Sequence, residues 1–404
     1  MVEIIGYIFI FIIAFLLLFE VIFKLIETFS QKISDDEDFD NERLKSFFPK
    51  NYHNYIDYYS SWNNAMFNYD FTIGYRLINS KNKLSEKFAK INSLGFRSEE
   101  FEEKKDNDLV IIFSGASTAF GCGATSNEKT IPYQFKNKIA KMFPKRNIKV
   151  YNLSQINNYQ TQEIILLTFF IKKLKPDIVI SINGWNELIR NNFISDDSIK
   201  KYNIFNIAEL EGWEPARVIK NKKKNFLTYL YLYLEDYSAL VRGINVINPQ
   251  LIFKRQKLMK LYRNFDQSIS VGSDLYIKNF EILNKMSHAF NFKYFSFLQP
   301  NITNKKNLTE DEKKLIFYYK NYNRLFKEED FIDKLYNIKN IYNYIHSMTK
   351  NKNYNNIFDL TSVFSNNNEN IYCTPVHLND IGQDILAKEI YDILNKEKIF
   401  NEFI

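Results

Sequence analysis

Three short apolar runs constrain the chain most: "LVIIFS" at 109–114, "IKVYNL" at 148–153 and "DIVISIN" at 177–183. Each has strand length. The first is continuously apolar, as in a strand buried on both faces, and is ended by Gly115. Between the runs the pattern turns helical. One helix is expected near 131–143, with Thr130 as N-cap and Pro132 in its first turn, and a second at about 160–174, broken by Pro176. Strand, helix, strand, helix, strand at this spacing predicts a parallel sheet covered by helices. The alternation then stops. Residues 190–290 read as a mostly helical insert rich in Lys, Arg and aromatics, including "RVIKNKKKNF" (217–226) and "LIFKRQKLMKLYR" (251–263). That insert is either a membrane-facing surface or a lid of solvated amphipathic helices. "FKYFSFL" (292–298) is the expected fourth strand, closed by Gln299 and Pro300. Helices at about 309–327 and 330–349 precede a possible fifth strand, "NNIFDL" (355–360). A last helix over about 380–397 places Ile381, Ile385, Leu386, Ile390, Ile393 and Leu394 on one face, with Asn379 or Asp380 as its cap.

The N-terminus carries a different signal. "IIGYIFIFIIAFLLLF" (4–19) is unbroken apolar sequence, extended past Glu20 by "VIF". About 20 such residues suffice to cross a hydrocarbon layer of ~30 Å as a helix. A membrane contact through residues 4–24 is therefore expected. A cleaved signal peptide fits less well, because "MVE" has no Lys or Arg and no A-x-A-like site follows. A buried helix is the other alternative. Lys24 and Lys32 on the C-terminal flank lean to a cytoplasmic C-terminal side by the positive-inside rule, but the acidic run "DDEDFD" (35–40) lies beside them. The side of the membrane stays open. The expected organisation is a membrane helix at 1–27, a juxtamembrane linker and lead-in at 28–105, and a large domain at 106–404 interrupted by the insert.

Composition removes several function classes. Hydrophobic content of 45% and aromatic content of 17% describe a globular chain. The net charge of +7 is modest for 404 residues, and there is no RNP-like, zinc-finger or helix-turn-helix signature, so no nucleic-acid partner is expected. Two cysteines, Cys122 and Cys373, exclude a disulfide-dense scaffold and a multi-cysteine zinc site. The four histidines (His53, His288, His346 and His377) include no pair at i, i+4 or H-x-H spacing. No metal and no cofactor are expected.

Ligands of an open parallel sheet bind outside the carboxyl ends of its strands. Those ends carry "GAST" (115–118), "SQINN" (154–158), "GWNE" (184–187) and, after the fifth strand, "TPVHL" (374–378). A Ser at a strand-to-helix turn can present its hydroxyl at the sheet edge, beside the N–H groups of the next helix. An Asn from the third turn can donate to a developing oxyanion, and a His from the last loop can act as base to the Ser. Each element alone also reads as an ordinary tight turn. Their order on successive strand ends is what joins them.

At these blocks the chain resembles the SGNH (GDSL-type) hydrolases, a family of esterases, lipases and some acyltransferases. "FSGASTAFG" (113–121) resembles the family's nucleophile block and implies Ser117 as nucleophile. "INGWNEL" (182–188) resembles its Gly-x-Asn motif and implies Gly184 and Asn186, the latter as oxyanion donor. "TPVHLNDIG" (374–382) resembles the Asp-x-x-His block and implies His377 as base. "NSLGFRSEEF" (92–101) and "FLQP" (297–300) are similar to segments of membrane-tethered members. The resemblance covers about 90–190 and 280–397. It implies a flavodoxin-like three-layer α/β/α sandwich with a five-stranded parallel sheet. The implied substrate is an acylated carbohydrate or lipid. Two positions depart from the pattern. Asn157 stands where the family has an oxyanion glycine, keeping a backbone N–H. Thr374 stands where the acid is expected; a hydroxyl can orient the ring but brings no charge. Asp359, at the end of the fifth strand, is a possible substitute acid, whereas Asp380 reads as a helix cap. Glu187 either lines the pocket or only starts a helix. If Ser117 and His377 meet, Cys122 and Cys373 approach each other, as a disulfide or as two buried thiols.

Overall fold

The computed structural model describes residues 6–7, 10–11, 14–25, 67–70, 74–77, 89–156, 158–187, 238, 265–321, 345, 347, 350 and 354–403. Five strands form one parallel sheet: β1 (Asp108–Gly115), β2 (Asn147–Asn152), β3 (Ile178–Asn183), β4 (Lys293–Leu298) and β5 (Ile357–Asp359), in the order β2-β1-β3-β4-β5. The chain steps from β1 outward to β2, then returns to the other side of β1 as β3. That reversal makes the carboxyl ends of β1 and β3 a topological switch point, where a crevice opens.

All eight residues of β1 are buried, which explains the apolar run at 109–113 within it. Successive side chains leave a strand on opposite faces. Leu109, Ile111 and Phe113 thus face α2 (Ile131–Met142) and α6 (Asp380–Lys396), while Val110 and Ile112 face α3 (Gln160–Leu174) and α4 (Phe265–Phe290). Ile178, Ile180, Ile182 and Phe297 join the first core; Val179 and Tyr294 join the second. The three-layer α/β/α arrangement follows. A further helix, α5 (Glu310–Asn321), follows β4; the rest of the helix expected to 327 lies outside the described residues.

Several expectations change in detail. A two-stranded antiparallel hairpin, Phe67–Asp70 with Gly74–Leu77, lies in the lead-in where no periodicity was legible. On α6 the buried face is Gly382, Gln383, Leu386, Ala387, Ile390 and Leu394, whereas Ile381 is 45% exposed. The reason is Gly382, which packs so closely that a Cβ there would lie 2.8 Å from Ile371 Cγ2. A small residue rather than an apolar one sets the phase. Asn379 is the cap of α6, accepting from the Gly382 amide at 3.0 Å. Most of the 190–290 insert lies outside the described residues; its final part is α4. The helix expected at 330–349 also lies almost wholly outside them. Among the described residues, no helix is long and apolar enough to cross a membrane. The apolar run at 4–24 falls partly on residues that are not described.

Candidate active site

β1 ends at Gly115, whose φ is +142° and whose place a side chain could not take. A Cβ there would stand 2.3 Å from the Ile182 carbonyl oxygen. This left-handed, crowded turn delivers the chain into α1 (Ser117–Phe120), so Ser117 opens a helix at the carboxyl end of the central strand. His377 comes from a loop 260 residues away, and its Nε2 lies 2.8 Å from Ser117 Oγ.

Several contacts enforce that meeting. Gln383 of α6 accepts from the Ile131 amide at 3.1 Å and donates to the Cys122 and Leu378 carbonyls at 3.2 and 3.3 Å. Asp380 accepts from both the amide and the hydroxyl of Thr125, at 2.8 and 2.6 Å. A Cβ on Gly123 (φ +94°) would stand 2.2 Å from the Leu378 carbonyl oxygen, so the loop after Ser117 and the residue after His377 are in backbone contact. Behind the histidine, Glu312 is fully buried. It accepts from the Ile371 and Tyr372 amides at 3.0 and 3.3 Å and pairs with Lys305 at 2.5 Å; Lys305 also donates to the Glu369 carbonyl. The entry into the histidine loop is therefore pinned from below.

Thr374 occupies the place facing His377 Nδ1, at 2.9 Å. Its oxygen also accepts from the His377 amide at 2.9 Å and the Val376 amide at 3.3 Å. A hydroxyl has two lone pairs and one proton. With both lone pairs met by amides, its proton is what remains for Nδ1. The imidazole proton then sits on Nε2, toward Ser117. For His377 to accept the Ser117 proton, the longer Val376 contact must yield and Thr374 must accept from Nδ1–H instead. A carboxylate, having no proton, would impose the second arrangement always. Burial pushes the His377 pKa down to about 4.

The residues expected on the oxyanion side come from the turns after β2 and β3. Gly184 follows β3 with φ +114°, and Asn186 is half-buried, donating one amide hydrogen to the Asn158 carbonyl at 2.9 Å. Its second amide hydrogen is a further donor. Asn157 lies outside the described residues. Asp359 is exposed at the end of β5, its carboxylate accepting from the Thr361 amide at 2.8 Å. Cys122 and Cys373 are buried free thiols, and burial raises the Cys122 pKa to about 12. Among the described residues, no group of three or more His, Cys, Asp or Glu could hold a metal ion.

Two groups stand out that hydrophobic patterning could not assign. Glu163, on the buried face of α3, accepts from Ser181 Oγ at 2.8 Å and Asn183 Nδ2 at 3.2 Å. Glu187 accepts from the Gly184 amide at 2.8 Å and from the Gln160 amide at 3.0 Å. The visible signal for Glu163 was a lone carboxylate inside the apolar helix "QTQEIILLTFF" (160–170).

No protein-family model matches the chain, and no curated protein matches it. Similar solved structures include the acetyl xylan esterase AlAXEase, at 13% identity over 71% of this chain and 100% of that one, with a TM-score of 0.35. Axe2, an acetylxylan esterase from Geobacillus stearothermophilus, is similar at 12% identity over 72% of this chain and 94% of its own, with a TM-score of 0.32. LAE5, an alpha/beta hydrolase enzyme from the metagenome of Lake Arreo, is similar at 10% identity over 69% and 91%, with a TM-score of 0.31.

Proposed function

We propose that this protein is an SGNH-type serine esterase or acyltransferase acting on an acylated carbohydrate or lipid. The observation that carries the reading is the 2.8 Å approach of Ser117 Oγ to His377 Nε2 at the switch point of the sheet. In the reactive tautomer, Ser117 Oγ attacks the acyl carbonyl while His377 Nε2 takes its proton. The carbonyl oxygen becomes an oxyanion, met by the Ser117 N–H, the Asn157 N–H and the second amide hydrogen of Asn186. As the intermediate collapses, the C–O bond to the leaving alcohol breaks and His377 returns the proton to that alcohol. The acyl group is left on Ser117. Water then gives hydrolysis, and a second alcohol gives transfer. No metal or cofactor takes part in this scheme.

Hydrolysis of a short p-nitrophenyl ester by the protein and by its Ser117→Ala variant tests the assignment. The expected loss is about 10^3-fold or more, since removing the nucleophile of such a unit abolishes the covalent route. Equal rates would remove the enzyme reading for simple esters. A second reading, a catalytically weakened binding or scaffold protein, draws support from one observation. The hydroxyl of Thr374 is saturated by backbone amides in a way that favours the unreactive tautomer of His377.

Membrane attachment through residues 4–24 is part of the proposal. It is supported by the apolar run itself and by the exposure of its described side chains, among them Phe11, Leu17 and Val21. Deleting residues 1–27 should move the protein from the membrane fraction to the supernatant on cell fractionation. Retention in the membrane fraction would refute the anchor.

A further inference from the structure

The turns after β2 and β3 are not neighbours. In the order β2-β1-β3 the end of β1, with Ser117, lies between them. Yet two hydrogen bonds of opposite direction tie them together. The Asn186 side chain donates to the Asn158 carbonyl, and the Gln160 amide donates to the Glu187 carboxylate. The other Glu187 oxygen accepts from Gly184, closing its own turn. One carboxylate, 2% exposed, thus holds the first residue of α3 and the first residue of the Asn186 turn at once. A neutral amide or a protonated acid could not accept equally at both oxygens.

We propose that Glu187 is the positioning residue of the oxyanion side. By accepting the Gly184 and Gln160 amides together, its carboxylate keeps Asn186 in register with the turn after β2. The proposal rests on Ser117 being the nucleophile beside it. Glu187 touches no reacting atom; it acts through Asn186.

The surroundings make this brace pH-sensitive. Among the described residues, Glu163 of α3, Tyr276 of α4 and Tyr294 of β4 are the titratable groups that face Glu187. Burial, and then the Glu163 carboxylate, push the Glu187 pKa up to about 7. The brace is complete only when Glu187 is ionised, so activity should rise with pH through about 7. His377 titrates near 4 and is neutral across that range. Stability runs the other way. The folded pKa of Glu187 is raised, so its favourable contribution is present below the unfolded value of about 4.5 and is lost as pH rises through about 7.

Trp185 lies between Gly184 and Asn186 and reports on the turn independently of turnover. The test uses the full-length protein from pH 5 to 9, wild type and variants alike carrying Trp62→Phe and Trp213→Phe so that Trp185 is the single tryptophan, with p-nitrophenyl acetate hydrolysis and tryptophan fluorescence read in parallel. Wild type should show a transition near pH 7 in both kcat and fluorescence. Glu187→Gln should lower kcat 10- to 100-fold at pH 8 with KM little changed, and should lack both transitions. Gln160→Pro is the second variant, should Glu187→Gln fail to fold. It deletes the donated N–H at the first position of α3, where proline is tolerated, and Tyr159 before it is already extended at φ −124° and ψ 165°; because it also removes the buried Gln160 side chain, Gln160→Ala, which keeps the N–H, is its control. It should lower kcat in the same direction and shift the fluorescence transition. A kcat for Glu187→Gln equal to wild type, or a pH 7 transition that survives in it, overturns the proposal. If Ser117→Ala hydrolyses as wild type does, the nucleophile assignment has failed instead. The brace is then decided by the fluorescence transition alone, present in Ser117→Ala or absent.

Discussion

The two sides of the candidate site place their buried carboxylates differently. On the histidine side, His377 meets a hydroxyl at Nδ1, and burial lowers its pKa to about 4. On the oxyanion side, two carboxylates, Glu163 and Glu187, are buried under the turns after β2 and β3 with their pKa values raised. The histidine side is held by scaffolding: Gln383, Asp380, Asn379 and the Lys305–Glu312 pair fix its backbone. On the oxyanion side a carboxylate reaches the Asn186 turn itself, Glu187 accepting the Gly184 and Gln160 amides, whereas Glu312 holds only the entry to the histidine loop and is paired with Lys305. A site can thus keep its geometry while moving its acid away from the base. On the proposed mechanism, what it forgoes is stabilisation of the imidazolium formed during attack, not the approach of Ser to His.

The sharpest way to break the contrast is to put the acid back. Thr374→Asp removes the ambiguous proton and leaves three donors, His377 Nδ1–H and two amides, facing a carboxylate. The Nδ1–H tautomer becomes permanent and the imidazolium gains a counter-charge. In a triad the corresponding change is worth about 10^4-fold. A gain of about 10^2- to 10^4-fold in kcat/KM at pH 8 is expected, the lower figure reflecting the cost of burying a new charge. The pKa of His377 should rise from about 4, and its acid limb should show in the Glu187→Gln background, where the limb near pH 7 is absent. No gain would mean that His377 already has the tautomer it needs.

The next test attacks the scaffold. Lys305 and Glu312 form an ion pair with both side chains fully buried. Glu312 also receives the Thr309, Ile371 and Tyr372 amides. Breaking such a pair from one side leaves an uncompensated charge, at a cost of about 3–5 kcal/mol. Glu312→Ala should therefore lower the urea midpoint strongly. The double variant Lys305→Met, Glu312→Leu should recover only part of the loss, because the loop amides still lack an acceptor. Full recovery would show that the pair serves packing alone and does not hold the histidine loop.

Legibility in sequence divides along the same line as the site. β1 and β3 were readable because strands buried on both faces are written in continuous apolar residues. Ser117 and His377 were readable because they follow strand ends and precede helices. Their proximity depends on contacts with no sequence period, such as Gly123 against the Leu378 carbonyl and Gln383 reaching three segments, the start of α2 and the Cys122 and Leu378 carbonyls. Glu163 and Glu187 contradict the pattern by which interiors are usually recognised. Each is made tolerable by donors that converge only after folding: Ser181 and Asn183 for one, Gly184 and Gln160 for the other. The face of α6 was misphased at Ile381 for a related reason. Gly382 and Gln383 approach closely and hydrogen-bond, and neither property shows in hydrophobicity.

The smallest expected effect concerns how finely the histidine side is held. Asn379 Oδ1 caps α6 through the Gly382 amide, while its Nδ2 donates to the Asn370 carbonyl at 2.6 Å. Loss of an N-cap costs about 1 kcal/mol. Asn379→Ala should lower stability by about that amount, read as a shift in the urea midpoint. Asn379→Asp keeps the cap acceptor and adds a charge at the positive end of the helix, but loses the donation to Asn370. If capping is what matters, Asn379→Asp should match wild type in both stability and kcat. If the link to Asn370 positions the histidine loop, Asn379→Asp should be stable yet slower. In that second case the histidine side, like the oxyanion side, would depend on one side chain bridging two segments, and the contrast between the two would narrow to whether the bridging group is a neutral amide or a carboxylate.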